Sequence, residues 1–310
     1  KEENRPLATR EFMRRWDFGM QWNVLVSSRE IEKAGGPVSK FGHAEYTQDG
    51  GDFDQNTYLA FDNPDEAIKL DPLKFKFFPE GELISRFEQN YQHEVDSYPD
   101  ILCMSGIYIS LFSGLIEIFG TDMLLMLLGL YPDELGEITA RYSEWIGQYF
   151  RAFAKSNVPF MMVHDDLCWT SGPVASPAWY RKHIFPHLKR NIQVVKEAGK
   201  KVYFTSDGTI DEFFDDIVEM GVDSVVMEPS SNIRNFAKRH GKHCGMVGGI
   251  DCRTLTYGSR NDIESEVVSM IEFGKKYPGF MLACGNHLPA NVPVENCLFY
   301  NELYEKYARR

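Results

Sequence analysis

Five places in the second half of the chain carry residues able to move protons or hold an ion, and each follows directly on a short apolar run. They are His164-Asp165-Asp166, Thr205-Ser206-Asp207, Glu228, Asp251 with Arg253, and Asn286-His287. Carboxylates and imidazoles gathered in one pocket suit general acid and base chemistry, which needs groups that exchange protons near neutral pH. The same donors suit a divalent ion held by oxygen and nitrogen, with Asp207 and His287 as its ligands. Asp207 ends "KVYFTSD", an apolar run that breaks into a working loop. Its plainer role is to cap a helix starting near Thr209. His287 has a plainer role too, ordering the loop "GNHLPANVP". Asp165 and Asp166 are adjacent, so their side chains point apart; Asp165 is expected in the pocket, with Asp166 anchoring backbone.

The elements that must position these groups are legible as a rhythm. "VPFMMV" (158–163), "KKVYFT" (200–205), "DSVVM" (223–227), "CGMVGGI" (244–250) and "GFMLAC" (279–284) are continuous apolar runs of strand length, as strands buried on both faces should be. Helical patterns at 176–199, 209–221 and 261–274 separate them, opened by Ser176, Thr209 and Asn261 and closed by Gly. Strand, helix, strand with short connections implies parallel pairing, in a barrel or a doubly wound sheet. In the first half, "WNVLVSS" (22–28) and "DILCMSGIY" (100–108) read as strands, "FGHAEYTQDGGDFDQN" (41–56) as loop, and 112–130 and 133–156 as two helices in succession. No internal repeat or linker interrupts the chain, so one domain over residues 1–310 is expected.

Composition narrows the classes. The chain has 310 residues, 43% of them hydrophobic, and a net charge of −12, an acidic balance unsuited to nucleic acid or an anionic membrane. No apolar run reaches the roughly 18 residues that span a bilayer. Six cysteines without a CxxC pair read as reduced thiols, and a cytoplasmic location is expected.

The blocks "DDLCWTSGPVASPAWYRKHIFPHLKR", "VYFTSDGTIDEFFDDIVEMGVD", "GGIDCRTL" and "GNHLPANVPVEN" resemble, in order and spacing, the uroporphyrinogen decarboxylase superfamily. The resemblance implies an α/β fold, a distorted (β/α)8 TIM-type barrel. It also implies one of two chemistries, decarboxylation of a tetrapyrrole or corrinoid-dependent methyl transfer. The decarboxylase branch resembles a site with an arginine-rich amino-terminal loop, where this chain has "GMQWNVLVSSREIEKAGG" with Arg29 alone. The branch that methylates thiols resembles a zinc site of His-x-Cys and a later Cys; the matching positions here are Thr205, Asp207 and Gly285. No thiolate-bound zinc is therefore expected. Asp251, Glu266 and His287, with 14 and 20 residues between them, resemble a zinc pattern of some demethylating relatives. That pattern is set aside because Glu266 is expected on the solvated face of its helix.

The reading that results is a methyltransferase that moves a methyl group between a small methoxy or methylamine compound and a corrinoid. No corrinoid-binding Asp-x-His-x-x-Gly segment is present, so a small partner protein is expected to carry that cofactor; a homodimer is also left open. Asp207, His287 and Asp165 are the expected catalytic groups. His164, Asp251, Arg253, Asn286, Tyr108 and Trp169 are expected to bind substrate, with Asp165, Asp207, Asp251 and His287 around one cavity. The alternative is a decarboxylase acting on a tetrapyrrole or a smaller acid. A barrel that only binds a tetrapyrrole is disfavoured by the ionisable groups at the strand ends.

Overall fold

The computed structural model describes residues 5–41, 57–285, 288–289 and 291–309. The loop expected at 41–56 lies outside the described residues except for Phe41, as do Asn286 and His287.

Six strands form one parallel sheet: β1 (Ser105–Ile107), β2 (Phe160–His164), β3 (Lys201–Ser206), β4 (Ser224–Met227), β5 (Gly245–Ile250) and β6 (Phe280–Cys284). Each pairs with the next in sequence order. A doubly wound sheet reverses its order at a switch point, whereas a barrel unrolls in strict succession. This order is that of the TIM-type barrel. A further segment lies beside β1, bridged in parallel at Met20 to Leu102 and Val26 to Ile107. Its ladder is irregular, with Gln21 N–H donating to Leu102 O and Tyr108 N–H to Val26 O. On the far side Met281 of β6 reaches this segment, its Cε 3.1 Å from where a Cβ on Gly19 would stand. The barrel is thus distorted, with six regular strands and side-chain contact where β6 meets the amino-terminal segment.

The strands form where they do because Met161, Met162, Val163, Val202, Phe204, Val225 and Met246 are buried between sheet and helices. The longest helix, Pro132–Lys155, opens with Pro at its first turn and two acidic residues, and ends in Lys155, matching both ends of its dipole. It buries Tyr142, Trp145 and Tyr149 completely, and Tyr142 Oη donates to Ile109 O at 2.9 Å. Two of the helices expected from sequence are broken. Residues 112–130 fold as Phe112–Phe119 and Thr121–Leu130, bent by 109° at Gly120, whose φ is +72°. Residues 176–199 fold as Pro177–His183 and Phe185–Glu197, because Pro186 lacks the N–H that would continue the first helix. Among the described residues no single helix is long and apolar enough to cross a membrane. All six cysteines are free thiols.

The strands approach closely at Gly106, where a Cβ would stand 2.0 Å from Met162 O of the neighbouring strand. Gly106→Ala is therefore expected to destabilise the protein by more than about 1 kcal/mol, read as a lower midpoint in denaturant with an unchanged slope.

Candidate active site

His164 ends β2, with a side chain only 5% exposed. Its Nδ1 lies 3.0 Å from Tyr108 O, its Nε2 2.9 Å from Asp166 Oδ1, and its ring stacks on Tyr108 at 4.1 Å between centroids. Burial disfavours the imidazolium. The hydrogen bond and charge of Asp166, the Tyr108 carbonyl and the charge of Asp207 outweigh it, raising the His164 pKa from 6.5 to about 9. Asp166 shows the mirror effect: burial opposes its charge, but His164 and the Asp207 N–H hold its carboxyl below the usual range. Burial, with Asp166, Glu117 and Asp207 nearby, raises Tyr108, so its phenol stays protonated.

The pocket position expected for Asp165 is corrected, whereas Asp166 does hold backbone, accepting the Asp207 N–H. Asp165 is fully buried and turns away from the cavity, its Oδ1 accepting the Ser113 N–H at 2.6 Å at the start of helix Phe112–Phe119. Burial raises its pKa to about 6 against those backbone bonds. Asp166 takes the position beside His164. Strand alternation places residues 164 and 166 on one side and 165 on the other, a signal already present once His164 is put in the pocket.

Asp207 follows β3. Its N–H donates to Asp166 Oδ1 at 3.1 Å, and ligand-type atoms of His164, Asp166 and Asp207 all lie within 4.8 Å of one another. Other groups take up the N–H groups after it. Glu228 Oε2 accepts Gly208 N–H at 2.8 Å, Trp169 O accepts that of Thr209 at 3.0 Å, and Ser231 Oγ accepts that of Ile210 at 3.0 Å. Regular helical turns begin only at Asp211, after an Ile210 with no side-chain cap. The capping role for Asp207 is thereby displaced. Gly208 is required here: its φ is +76°, and a Cβ would stand 2.4 Å from Cys168 O.

A cavity of about 910 Å³ opens over these strand ends and runs along the gap between β6 and the amino-terminal segment. Tyr108, His164, Asp207 and Glu228 line one part, and Trp22, Phe18 and Tyr304 another. The amino-terminal contribution was not anticipated, although the aromatic start "WDFGMQW" is its sequence signal. Asp17, at φ +52°, accepts a hydrogen bond from Tyr304 Oη at 3.0 Å, which ties this segment to helix Val294–Tyr307.

Besides Asp165, three residues expected in this cavity lie elsewhere. Trp169 sits in a two-residue hairpin, 47% exposed. Asp251 caps helix Cys252–Tyr257 through Arg253 N–H at 2.8 Å and pairs with the Arg253 guanidinium at 2.6 Å, which lowers its pKa. The Arg253 side chain itself is 75% exposed. Asp251 instead borders a smaller cavity of about 310 Å³ with Glu228 and Glu266. The solvated placement of Glu266 is also corrected: its Oε1 accepts Asp251 N–H at 2.7 Å. Residue 266 lies three after Ile263 and four before Met270, both buried, so it flanks the packed face. Asp251 and Glu266 of the spaced zinc-like pattern do meet, but the Asp251 carboxylate is already engaged by Arg253 and the helix.

Among the described residues the group formed by His164, Asp166 and Asp207 includes no cysteine. Gly285 packs on Pro229, whose Cδ would be 2.1 Å from a Cβ. Cys284 lines the cavity, held protonated by its hydrogen bond to Cys252 and by burial, which raise its pKa.

Residues 103–307 match the sequence model of uroporphyrinogen decarboxylase (URO-D). The chain belongs to the URO-D family. It is similar to the uroporphyrinogen decarboxylase of Pelobacter propionicus, 22% identical over 180 residues, covering 57% of this chain and 51% of that one. It is likewise 24% identical to that of Thermus thermophilus over 168 residues, covering 54% and 47%. This URO-D chain thus spans about half the length of these curated relatives. Among solved structures, a methyltransferase from Methanosarcina mazei superposes with a TM-score of 0.59 at 12% identity, over 94% of both chains. That likeness is one of fold alone.

The raised His164 pKa has a consequence for stability. The folded protein binds this proton more tightly than the unfolded chain, so the stabilisation is complete below pH 6.5 and is lost as pH rises through about 9. Stability measured by denaturant is expected to fall across that window by up to about 1.4 kcal/mol per pH unit. Asp166→Asn is expected to flatten the slope.

Proposed function

We propose that the protein is a methyltransferase that moves a methyl group between a small methylated compound and a corrinoid carried by a partner protein. The observation that carries this reading is the charge of the large cavity. Asp17, Asp207 and Glu228 line it, against Lys275 and a His164 already paired with Asp166, and no arginine lines it among the described residues. Uroporphyrinogen-type substrates carry many carboxylates, and a wall of this sign repels them. The decarboxylase name of the curated relatives favours the alternative, a lyase, but their similarity covers about half their length.

The rim suits a flat, largely apolar ring system. Phe12, Phe18 and Trp22 line the cavity and are each 40–41% exposed, and they would receive a corrinoid delivered by its carrier. When bound, the corrinoid supplies the centre that accepts or gives the methyl group. The remaining work falls to this chain. Tyr108 and Trp22 form aromatic walls for the donor. Asp166 keeps His164 charged, and that charge steadies the Asp207 carboxylate at the strand ends. With a methoxy donor, the leaving oxygen departs poorly as an alkoxide, and Asp207 is the group through which a proton would reach it. With a cationic amine donor, the ionised Asp207 acts as counter-charge. A thiolate-bound zinc has no part in this reading.

The test is incubation with reduced cobalamin and a panel of methoxylated and methylated amine compounds, following the cobalt absorbance. Methyl transfer is expected with at least one donor. Carbon dioxide released from an acid substrate with no cobalt change would select the lyase. Asp207→Asn is expected to lower kcat/KM for the methyl donor by about 10²–10⁴ while leaving the thermal midpoint nearly unchanged, since no helix depends on that side chain.

A further inference from the structure

We propose that Cys252 and Cys284 form a redox pair, a thiol site at the seam of β5 and β6 that a hydroperoxide converts to a disulfide. This chemistry does not depend on which reaction the large cavity carries. Cys284 ends β6 opposite Ile250 in the ladder, and Gly285 N–H donates to Ile250 O at 2.8 Å. Cys252 opens the helix that follows β5, and its Sγ donates to Gly285 O at 2.9 Å. The two backbones are thus tied together beside the thiols, and Gly285 is pressed against Pro229. The Cys284 thiol is hydrogen-bonded to Cys252 and takes a further hydrogen bond from the Tyr300 hydroxyl.

Two cysteines react as a pair when their sulfurs are already in contact and one of them gives up its proton readily. The Cys284 S–H steadies a thiolate at Cys252, against burial and the charges of Asp251 and Glu228, and holds the Cys252 pKa below the ordinary thiol value. The other five thiols are raised, Cys168 and Cys244 to about 12 by burial. Cys252 is therefore the nucleophile. Cys284 and Tyr300 line the large cavity, which gives a small oxidant a way to the pair. In the first step the Cys252 sulfur attacks one oxygen of hydrogen peroxide and the O–O bond breaks. The sulfur is oxidised to a sulfenic acid, and the leaving hydroxide takes up a proton as water. In the second step the Cys284 sulfur attacks Cys252 Sγ, the S–O bond breaks, and the hydroxide leaves as water with the Cys284 proton. Two thiols and one peroxide give one disulfide and two waters.

Hydrogen peroxide added to the reduced protein, followed by alkylation of the remaining thiols in denaturant and peptide mapping without reductant, tests the proposal. Two of the six thiols are expected to disappear, with the peptides that carry Cys252 and Cys284 joined to each other and released by dithiothreitol. Cys284→Ser, whose hydroxyl keeps the hydrogen bond to Cys252, is expected to stop at the sulfenic acid, trapped on Cys252 by dimedone. Cys252→Ser is expected to slow the loss of thiols about tenfold or more. If either variant fails to fold, the map of the unsubstituted protein still decides. A disulfide that includes Cys297, whose thiol is near enough to feel the charge of Cys252, would overturn the pairing. So would six intact thiols, or Cys252 carried on to a sulfinic acid while Cys284 stays free.

Discussion

The carboxylate of Asp166 is the joint on which the mouth of this barrel depends. It faces the His164 imidazole on its own strand end and takes the Asp207 N–H from the next, so two adjacent strands finish in one fixed geometry. The His164 side of the joint is buried, and each charge keeps the other ionised. Asp165 performs the opposite task one residue earlier, seating the start of helix Phe112–Phe119 on the barrel. Three consecutive residues thus present an imidazole, fasten a helix and lock the neighbouring loop.

What the sequence revealed of the fold follows from burial. Strands covered on both faces must be apolar throughout, so runs such as "VPFMMV" and "GFMLAC" announced themselves, and their succession implied parallel pairing. The amino-terminal strand was harder to place because its ladder is irregular. The breaks at Gly120 and before Pro186 interrupt helices whose apolar pattern continues across them, so periodicity alone joined the halves. The site was legible where the chemistry sits at a strand end, as at His164 and Asp207. It was misread where the question was direction: Asp165 against Asp166 turns on alternation, and Asp251 was claimed by the adjacent Arg253 and a helix start. Glu266 was missed because a residue on the edge of a packed face reads as solvated. Trp22, Phe18 and Asp17 come from a segment whose part in the cavity depends on closure against β6, a contact between distant parts of the chain.

The cavity joins acidic groups to aromatic walls. Within a family whose curated relatives carry the name of a decarboxylase, this cavity is lined by Asp17, Asp207 and Glu228 and, among the described residues, by no arginine. The strand ends keep the shared scaffold, and the residues placed on them set the character of what can enter.

The hydrogen bond from Tyr304 to Asp17 spans 287 positions of sequence. A contact of that separation forms late, because the intervening chain must first collapse before its ends can meet. On a ribosome, the amino-terminal aromatic segment would emerge long before its partner helix is made. The wall it contributes stays unfinished until that helix has been made, so a partly made chain can hold much of a barrel and yet have no enclosed place for a ligand.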